Sequence, residues 1–263
     1  MNMIPARQDW AEQTGSDLIA HDCQNLNFWD VDRSIRDVLE LYLSPEAFAH
    51  FAPHLERLGQ MGGGILNELA MTADKHGPML HHRDRFGRDQ DWVEYHPAYR
   101  RMEDIAYGQF GMHAMSRREG VLGWSDIVPP LVKYAFNYLF AQSEFGLLCP
   151  VSATDTCALL IQNYASEELK RRYLPGMLTQ DMDGLLRGAQ FMTEKAGGSD
   201  ISRSALTARR SGDHWELWGD KWFCSCADSE VVLLLARCED ASKGNAGLSL
   251  FLMPRTLDDG TRN

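Results

Sequence analysis

The spacing of hydrophobic and polar positions changes once along this chain, near residue 184, and that change divides it. From Ser44 the spacing is helical: Phe48, Phe51, Leu55, Leu58 and Met61 recur every three or four residues, so one stripe faces a core. Ser44-Pro45-Glu46 supplies a capping hydroxyl, a proline at the first helical position and an early carboxylate. Gly62-Gly63-Gly64 then ends or interrupts that helix. Residues 1–43 begin polar and turn apolar at Ile35, Val38, Leu39, Leu41 and Tyr42, which predicts an irregular arm leading into a short helix. A second helix is predicted over about 65–75, and residues 79–82 and 92–95 flank a polar turn that reads as a hairpin or an Ω-like excursion. His96-Pro97 opens a helical stretch expected to reach about Glu119, and residues 128–145 form another. Cys149-Pro150-Val151 reads as a break, followed by a helix capped at Ser152 or Thr154. Ser166-Glu167-Glu168 caps one more, up to Leu174-Pro175-Gly176.

Beyond Gly184 the period is two. Strands are predicted over 205–209, 214–218, 221–224, 231–236 and 248–252, with turns at Ser211-Gly212-Asp213 and Gly219-Asp220. Helices followed by strands imply an α+β chain. The expected division is an all-helical domain over residues 1–183 and an incomplete, antiparallel β-barrel-like domain over 184–263.

Composition narrows the function. The chain has 263 residues, 44% of them hydrophobic and 24% charged, ordinary values for a globular protein. With 26 basic and 37 acidic residues the net charge is −11, which argues against non-specific attraction to nucleic acid or an anionic membrane. No apolar run approaches the ~20 residues that span a bilayer, and the first residues lack a hydrophobic signal core, so the expected location is the cytoplasm. Six cysteines in a chain of this length do not make a disulfide scaffold. Cys224-x-Cys226 has the wrong spacing for a zinc knuckle; on a strand the two thiols share a face. His76, His81 and His82 lie close in sequence, but strand neighbours point to opposite faces and no carboxylate or cysteine stands at ligand spacing. No metal site is expected.

Two stretches carry candidate chemistry. Gln190-Phe191-Met192-Thr193-Glu194-Lys195-Ala196-Gly197-Gly198-Ser199-Asp200 runs from an apolar segment into a turn whose glycines permit positive φ and close approach of a ligand. The hydroxyls of Thr193 and Ser199 and the turn amides can hold polar oxygens, including a phosphate. Trp222-Phe223-Cys224-Ser225 places an aromatic ring and a hydroxyl two residues apart, on one face if the segment is a strand.

Thr-Glu-x-x-x-Gly-Ser-Asp, then a hairpin, then Gly-Asp-Lys-Trp-Phe-Cys-Ser resembles the middle domain of the acyl-CoA dehydrogenase flavoproteins. Met-Thr-Glu-Lys-x-Gly-Gly-Ser-Asp with Lys-Trp-Phe-x-Ser looks most like their alkylation-response branch. Tyr95-His96-Pro97-Ala98-Tyr99 and Leu147-Leu148-Cys149-Pro150-Val151-Ser152 resemble segments of that family's N-terminal helical domain. The resemblance implies FAD, an acyl-CoA thioester substrate losing hydride to flavin N5, an electron acceptor protein and a homo-oligomer when the subunit is complete. It also implies residue roles. The main chain around Gln190 and Met192 and the hydroxyl of Thr193 meet the pyrimidine edge of the flavin, and Gly198 and Ser199 take its pyrophosphate. Phe223 lies against the isoalloxazine with Cys224 beside it, and Ser225 reaches toward N5.

The departures keep a ring and a hydroxyl: Phe223 stands where Trp is frequent, Ser225 where Thr is. Lys195-Ala196 replaces a Pro-Gly pair, which argues against a straight-chain acyl group. The family's catalytic carboxylate belongs to a C-terminal domain that this chain does not match, so no catalytic residue is named; Glu194 reads as a carboxylate that organises the turn. The chain resembles only the first half of the family, is expected to be inactive alone, and offers nucleic acid no surface. Two alternatives stand beside the dehydrogenase: a flavin-holding, DNA-protective protein with weak dehydrogenase activity, and a half-subunit completed by a partner chain.

Overall fold

The computed structural model describes residues 23–263, so the polar part of the expected N-terminal arm lies outside the described residues up to residue 22. A single helical turn, Phe28–Val31, leads into α1 (Arg33–Tyr42), capped by the Asp32 carboxylate on the Ser34 amide at 3.0 Å. The start expected at Ser44 is present: its hydroxyl accepts from the Ala47 amide at 3.1 Å and opens α2 (Pro45–Met61). The three glycines mark a crossing. Gly63 accepts from the Asn25 amide at 2.6 Å, and a Cβ on Gly63 would collide with the Leu26 carbonyl, so only glycine lets residues 25–29 lie across the helix here. The backbone widens into a π-helical turn over Gly62–Leu66 before α3 (Asn67–Lys75).

β1 (Met79–Arg83) and β2 (Asp89–Glu94) form the predicted hairpin. His81 meets Glu94 at 2.7 Å and His82 meets Asp91 at 3.2 Å as exposed pairs. The described residues contain no group of three or more His, Cys, Asp or Glu placed to hold a metal.

The helical stretch from His96 is shorter than its pattern predicts. α4 (Pro97–Glu103), capped by His96, passes into a π turn over Asp104–Gln109 and then into turns, not onward to Glu119. The cause is local: Gly111 takes φ +60° and packs on Gln180, and the Met112 amide reaches back to the Ala106 carbonyl at 3.0 Å. α5 covers Pro130–Ala141, inside the expected 128–145. Cys149-Pro150-Val151 is no break, because α6 runs Leu148–Tyr164 with Pro150 in its first turn, where no intrahelical N–H is needed. α7 (Glu167–Met177), capped by the Ser166 hydroxyl, continues past Pro175 for two residues. Phe51, Leu55, Leu58, Met102, Phe110, Phe136 and Phe140 fill the core among these helices, each fully buried side chain contributing roughly 1.5–3 kcal/mol. No helix among the described residues is long and apolar enough to cross a membrane.

The chain is α+β as expected, but the sheet is mixed and open, with no closed barrel. β6 (Val231–Cys238) is its axis. One edge of β6 pairs in parallel first with β3 (Gly188–Phe191) and then, at Arg237 and Cys238, with β4 (Thr207–Ser211). β5 (His214–Trp218) extends β4 through a hairpin turned at Gly212, φ +64°. β7 (Leu248–Pro254) runs antiparallel along the other edge of β6. The apolar run of β6 is buried on both faces, the pattern of a central strand. Val231 and Leu233 pack on Cys157, Ile161, Tyr173 and Met177 of α6 and α7; Val232, Leu234 and Ala236 pack on Ala189, Ala208 and Phe251. The rings of Trp215 on β5 and Phe251 on β7 meet at 5.5 Å and 69°, so the sheet is curled.

Gly63→Ala is expected to lower stability in urea by about 1–3 kcal/mol, the range for overpacking. Gly77→Ala, where an added Cβ meets nothing within 4 Å, should stay within about 0.5 kcal/mol. Equal midpoints for the two variants would refute the crossing.

Candidate functional site

Strand β3 carries the first stretch into the site. Its Gln190 lies in the ladder opposite Leu233, and the side-chain amide donates to the Thr156 hydroxyl of α6 at 2.6 Å. Another hydroxyl of α6, Thr154, is fully buried; it donates to the Pro150 carbonyl at 2.8 Å and accepts from the Gly188 amide at 3.0 Å, tying β3 to the helix. Past Phe191 the chain leaves the sheet. Glu194 and Gly197 exchange two backbone hydrogen bonds of 3.0 Å, closing a turn whose tip is Lys195-Ala196.

Gly197 and Gly198 do not adopt positive φ; what they provide is space. A Cβ on Gly197 would stand 2.6 Å from the Asp200 carbonyl, and one on Gly198 would stand 3.3 Å from the methyl of Thr193. Asp200 caps a 3-10 turn, Ile201–Arg203, through the Ser202 amide at 3.2 Å.

The second stretch differs from its expectation. Residues 221–224 are not a strand: the chain from Gly219 to Glu230 is irregular, and Phe223 and Cys226 take φ +56° and +53°. Phe223 and Ser225 therefore do not share a strand face, nor do Cys224 and Cys226. The reason is that Trp222 pairs with the first stretch and not with a sheet neighbour, its amide donating to the Thr193 carbonyl at 2.8 Å. That bond, with the Lys195 ammonium 5.4 Å from the centre of the Trp222 ring, brings the two stretches to one surface. Phe223 is 77% exposed and its ring meets Trp222 edge-on at 6.1 Å. Ser199 and Ser225 are exposed, Thr193 is half-buried, and none of these three hydroxyls is bonded to another described residue. Met192 presents its carbonyl to Lys221 at 3.3 Å. Cys224 and Cys226 turn toward the apolar cluster around Phe191, and burial pushes both thiols up, Cys226 to about 11.

Under this surface lies a buried ion pair that sequence spacing does not reveal. Glu194 accepts from the Lys221 ammonium at 2.7 Å, the Ser204 hydroxyl at 2.5 Å, and the Ala205 and Leu206 amides at 2.6 and 3.2 Å. Burial alone would raise its pKa, but Lys221 and the other three donors bring the carboxyl down to about 2. It organises the turn, as its place in the motif suggests. A second buried cluster, equally unannounced, lies at the base of the 219–230 loop. Arg187, immediately before β3, contacts Glu103 of α4 at 3.4 Å and both Asp228 and Glu230 at 3.1 Å. The Tyr95 hydroxyl donates to Asp228 at 2.9 Å. The only hint in sequence is a lone arginine at the mouth of a buried strand.

An apolar cleft of about 430 Å³ opens along α5 and α6, lined by Tyr134, Asn137, Tyr138, Phe145, Leu148, Cys149 and Ser152 among others. Cys149, Ser152 and Thr156 follow one another at three and four residues, so they share the face of α6 that reaches Gln190.

The description Adaptive response protein AidB N-terminal domain matches residues 19–184, and Acyl-CoA dehydrogenase, middle domain, matches residues 189–262. Putative acyl-CoA dehydrogenase AidB of Escherichia coli (strain K12) is 34% identical over 221 residues, 78% of this chain and 37% of that protein. Acyl-CoA dehydrogenase family member 11 of Caenorhabditis elegans is 28% identical over 249 residues, 89% of this chain and 38% of that protein. The solved structure of Bd2924 in its apo form agrees at a TM-score of 0.81 and 29% identity, over 94% of this chain and 49% of that one. The chain thus spans well under half the length of these curated relatives.

Glu194→Gln is expected to cost about 3 kcal/mol in urea at pH 7, since it leaves the buried Lys221 charge unpaired. The folded carboxyl, at about 2, lies below its ordinary value of 4.5, so its stabilisation is complete above about pH 5 and is lost as pH falls toward 2. The gap between wild type and variant should narrow over that window; a gap constant from pH 7 to pH 2.5 would refute the assignment.

Proposed function

This chain belongs to the acyl-CoA dehydrogenase family, with an AidB-type N-terminal match followed by the middle domain, and from that membership we propose that residues 190–225 form part of an FAD site serving α,β-dehydrogenation of an acyl-CoA thioester. The observation that carries this reading is the meeting of Thr193, Gly198, Trp222 and Phe223 on one surface.

The groups present fit a flavin. A side chain at Gly198 would fill the space beside Thr193 that a phosphate oxygen needs, three hydroxyls stand unbonded, and a flat ring faces outward. In this reading Gly198 and Ser199 receive the pyrophosphate, and the Thr193 hydroxyl, with the main chain around Gln190 and Met192, borders the pyrimidine edge. Donors at that edge favour the negative charge that accumulates there on reduction. Phe223 would cover the ring and exclude water, with Cys224 beside it, and Ser225 would bring a hydroxyl toward the reacting edge. FAD supplies the hydride acceptor. The cleft along α5 and α6 takes the acyl chain, because it is apolar and its helix face leads to Gln190.

Glu194 is not the base: four donors occupy its oxygens, and a carboxyl at about 2 is a weak proton acceptor. The division of the chain at residues 183/184, an electron acceptor protein, a homo-oligomer and a cytoplasmic setting belong to the same proposal. The AidB-type match favours a second reading, a flavin-holding protein of the adaptive response with little dehydrogenation. Rapid bleaching of its bound flavin by acyl-CoA thioesters would remove that reading.

Titration of the chain with FAD should quench the flavin fluorescence. Phe223→Ala should weaken binding about tenfold by loss of a stacked ring, and Gly198→Val should abolish it. A wild-type chain that leaves the flavin spectrum unchanged at saturating concentration would overturn the proposal.

A further inference from the structure

The segment that presents Phe223 and Ser225 is strained and exposed. Two of its residues, Phe223 and Cys226, hold left-handed backbone that side-chain-bearing residues avoid. Within it, the Ser225 amide reaches only back to the Phe223 carbonyl at 3.0 Å. Such a segment keeps one shape when its surroundings over-determine it.

Two buried ion pairs do so here, one at each end. Upstream, Lys221 is held by Glu194, with side chains 5% and 6% exposed. Downstream, the Arg187 guanidinium donates from Nη2 to both the carbonyl of Asp228, at 3.2 Å, and its carboxylate Oδ2, at 3.1 Å. The Tyr95 hydroxyl holds the remaining carboxylate oxygen at 2.9 Å. Arg187 is itself immobilised, because its backbone amide and Nε both donate to Glu230, at 2.8 and 3.2 Å, and Nη1 faces Glu103. The guanidinium thus grips main chain and side chain of one residue, three positions after Ser225. The upstream pair lies inside the sequence motif; the downstream one does not.

We propose that Arg187, Asp228 and Tyr95 are positioning residues, which hold Phe223 and Ser225 in the shape that meets the flavin ring. The Arg187 and Asp228 side chains, 11% and 8% exposed, act from beneath the surface that carries Phe223. The proposal rests on the FAD reading above, and it deepens that reading by assigning the preorganisation of the site to a clamp built from the link between β2 and α4, the residue before β3 and the loop before β6.

Asp228→Asn keeps the shape of the side chain and removes its charge; Tyr95→Phe removes one donor only. On the whole chain, three readouts separate a positioning role from a merely structural one: the FAD dissociation constant, the shape of the bound flavin's visible band, and hydrogen exchange at amides 223–226 without FAD. Asp228→Asn should raise the dissociation constant about tenfold, through loss of a charge-assisted bond, and alter the band. Tyr95→Phe should do the same to a smaller extent, with faster exchange at 223–226 in both. If Asp228→Asn does not fold, Tyr95→Phe decides. Wild-type affinity, band shape and exchange in a folded variant would overturn the clamp. If the wild type binds no FAD, the cofactor reading fails by itself, and exchange still decides the clamp: acceleration at 223–226 supports it, and unchanged exchange ends it.

Discussion

A buried guanidinium sits where the helices meet the sheet, and the architecture around the site turns on it. Burial by itself would lower the pKa of Arg187, but Glu230 and Asp228 hold it well above its ordinary range, and Arg187 with Tyr95 in turn holds Asp228 below its own. An arrangement of this kind is stable only when complete, because one partner removed leaves an uncompensated charge in a dry place. Its members come from the segment before α4, from α4, from the residue before β3 and from the loop before β6. Apolar packing alone would let these elements slide on one another; directional bonds to a planar, five-donor cation fix their register.

That register is shared with an apolar seam. Val231 and Leu233 reach α6 and α7, while alternate residues of the same strand face β4 and β7. A strand buried on both faces cannot shift by one residue without turning its whole pattern around, although here both patterns are apolar. The polar ties resolve that ambiguity: Thr154 on Gly188, Gln190 on Thr156 and Arg187 on Glu230 each accept one alignment only.

What the sequence revealed follows the range of the physics involved. Local signals were legible. Ser44, Ser166 and Gly212 act where capping and turn chemistry put them, and the change of period near 184 falls between α7 and the strands of the mixed sheet. Signals that tertiary contacts override were not. Pro150 looked like a break but falls in the one turn that tolerates it. Residues 221–224 read as a strand, yet Trp222 finds its partner at Thr193, and the loop bends left-handed. The parallel pairing of β3 with β6 joins residues some forty positions apart, which no local pattern encodes. Motif wording picked out Thr193, Gly198 and Phe223, which the structure brings to one surface. Lys221, Arg187 and Asp228 emerge only from three-dimensional proximity, because an ion pair between distant residues leaves no periodic trace.

One detail of the sheet limits how it can grow. β3 and β4 occupy the same side of β6 in succession and β7 occupies the other, so the axial strand has no free hydrogen-bonding row among the described residues. Any additional strand, whatever its source, has as docking lines the outer edge of β3, which no described strand pairs, or the outer rims of β5 and β7. Those rims are already bent toward each other by the Trp215–Phe251 contact. A strand added at either of these two rims therefore meets an edge whose curl two aromatic rings have set in advance.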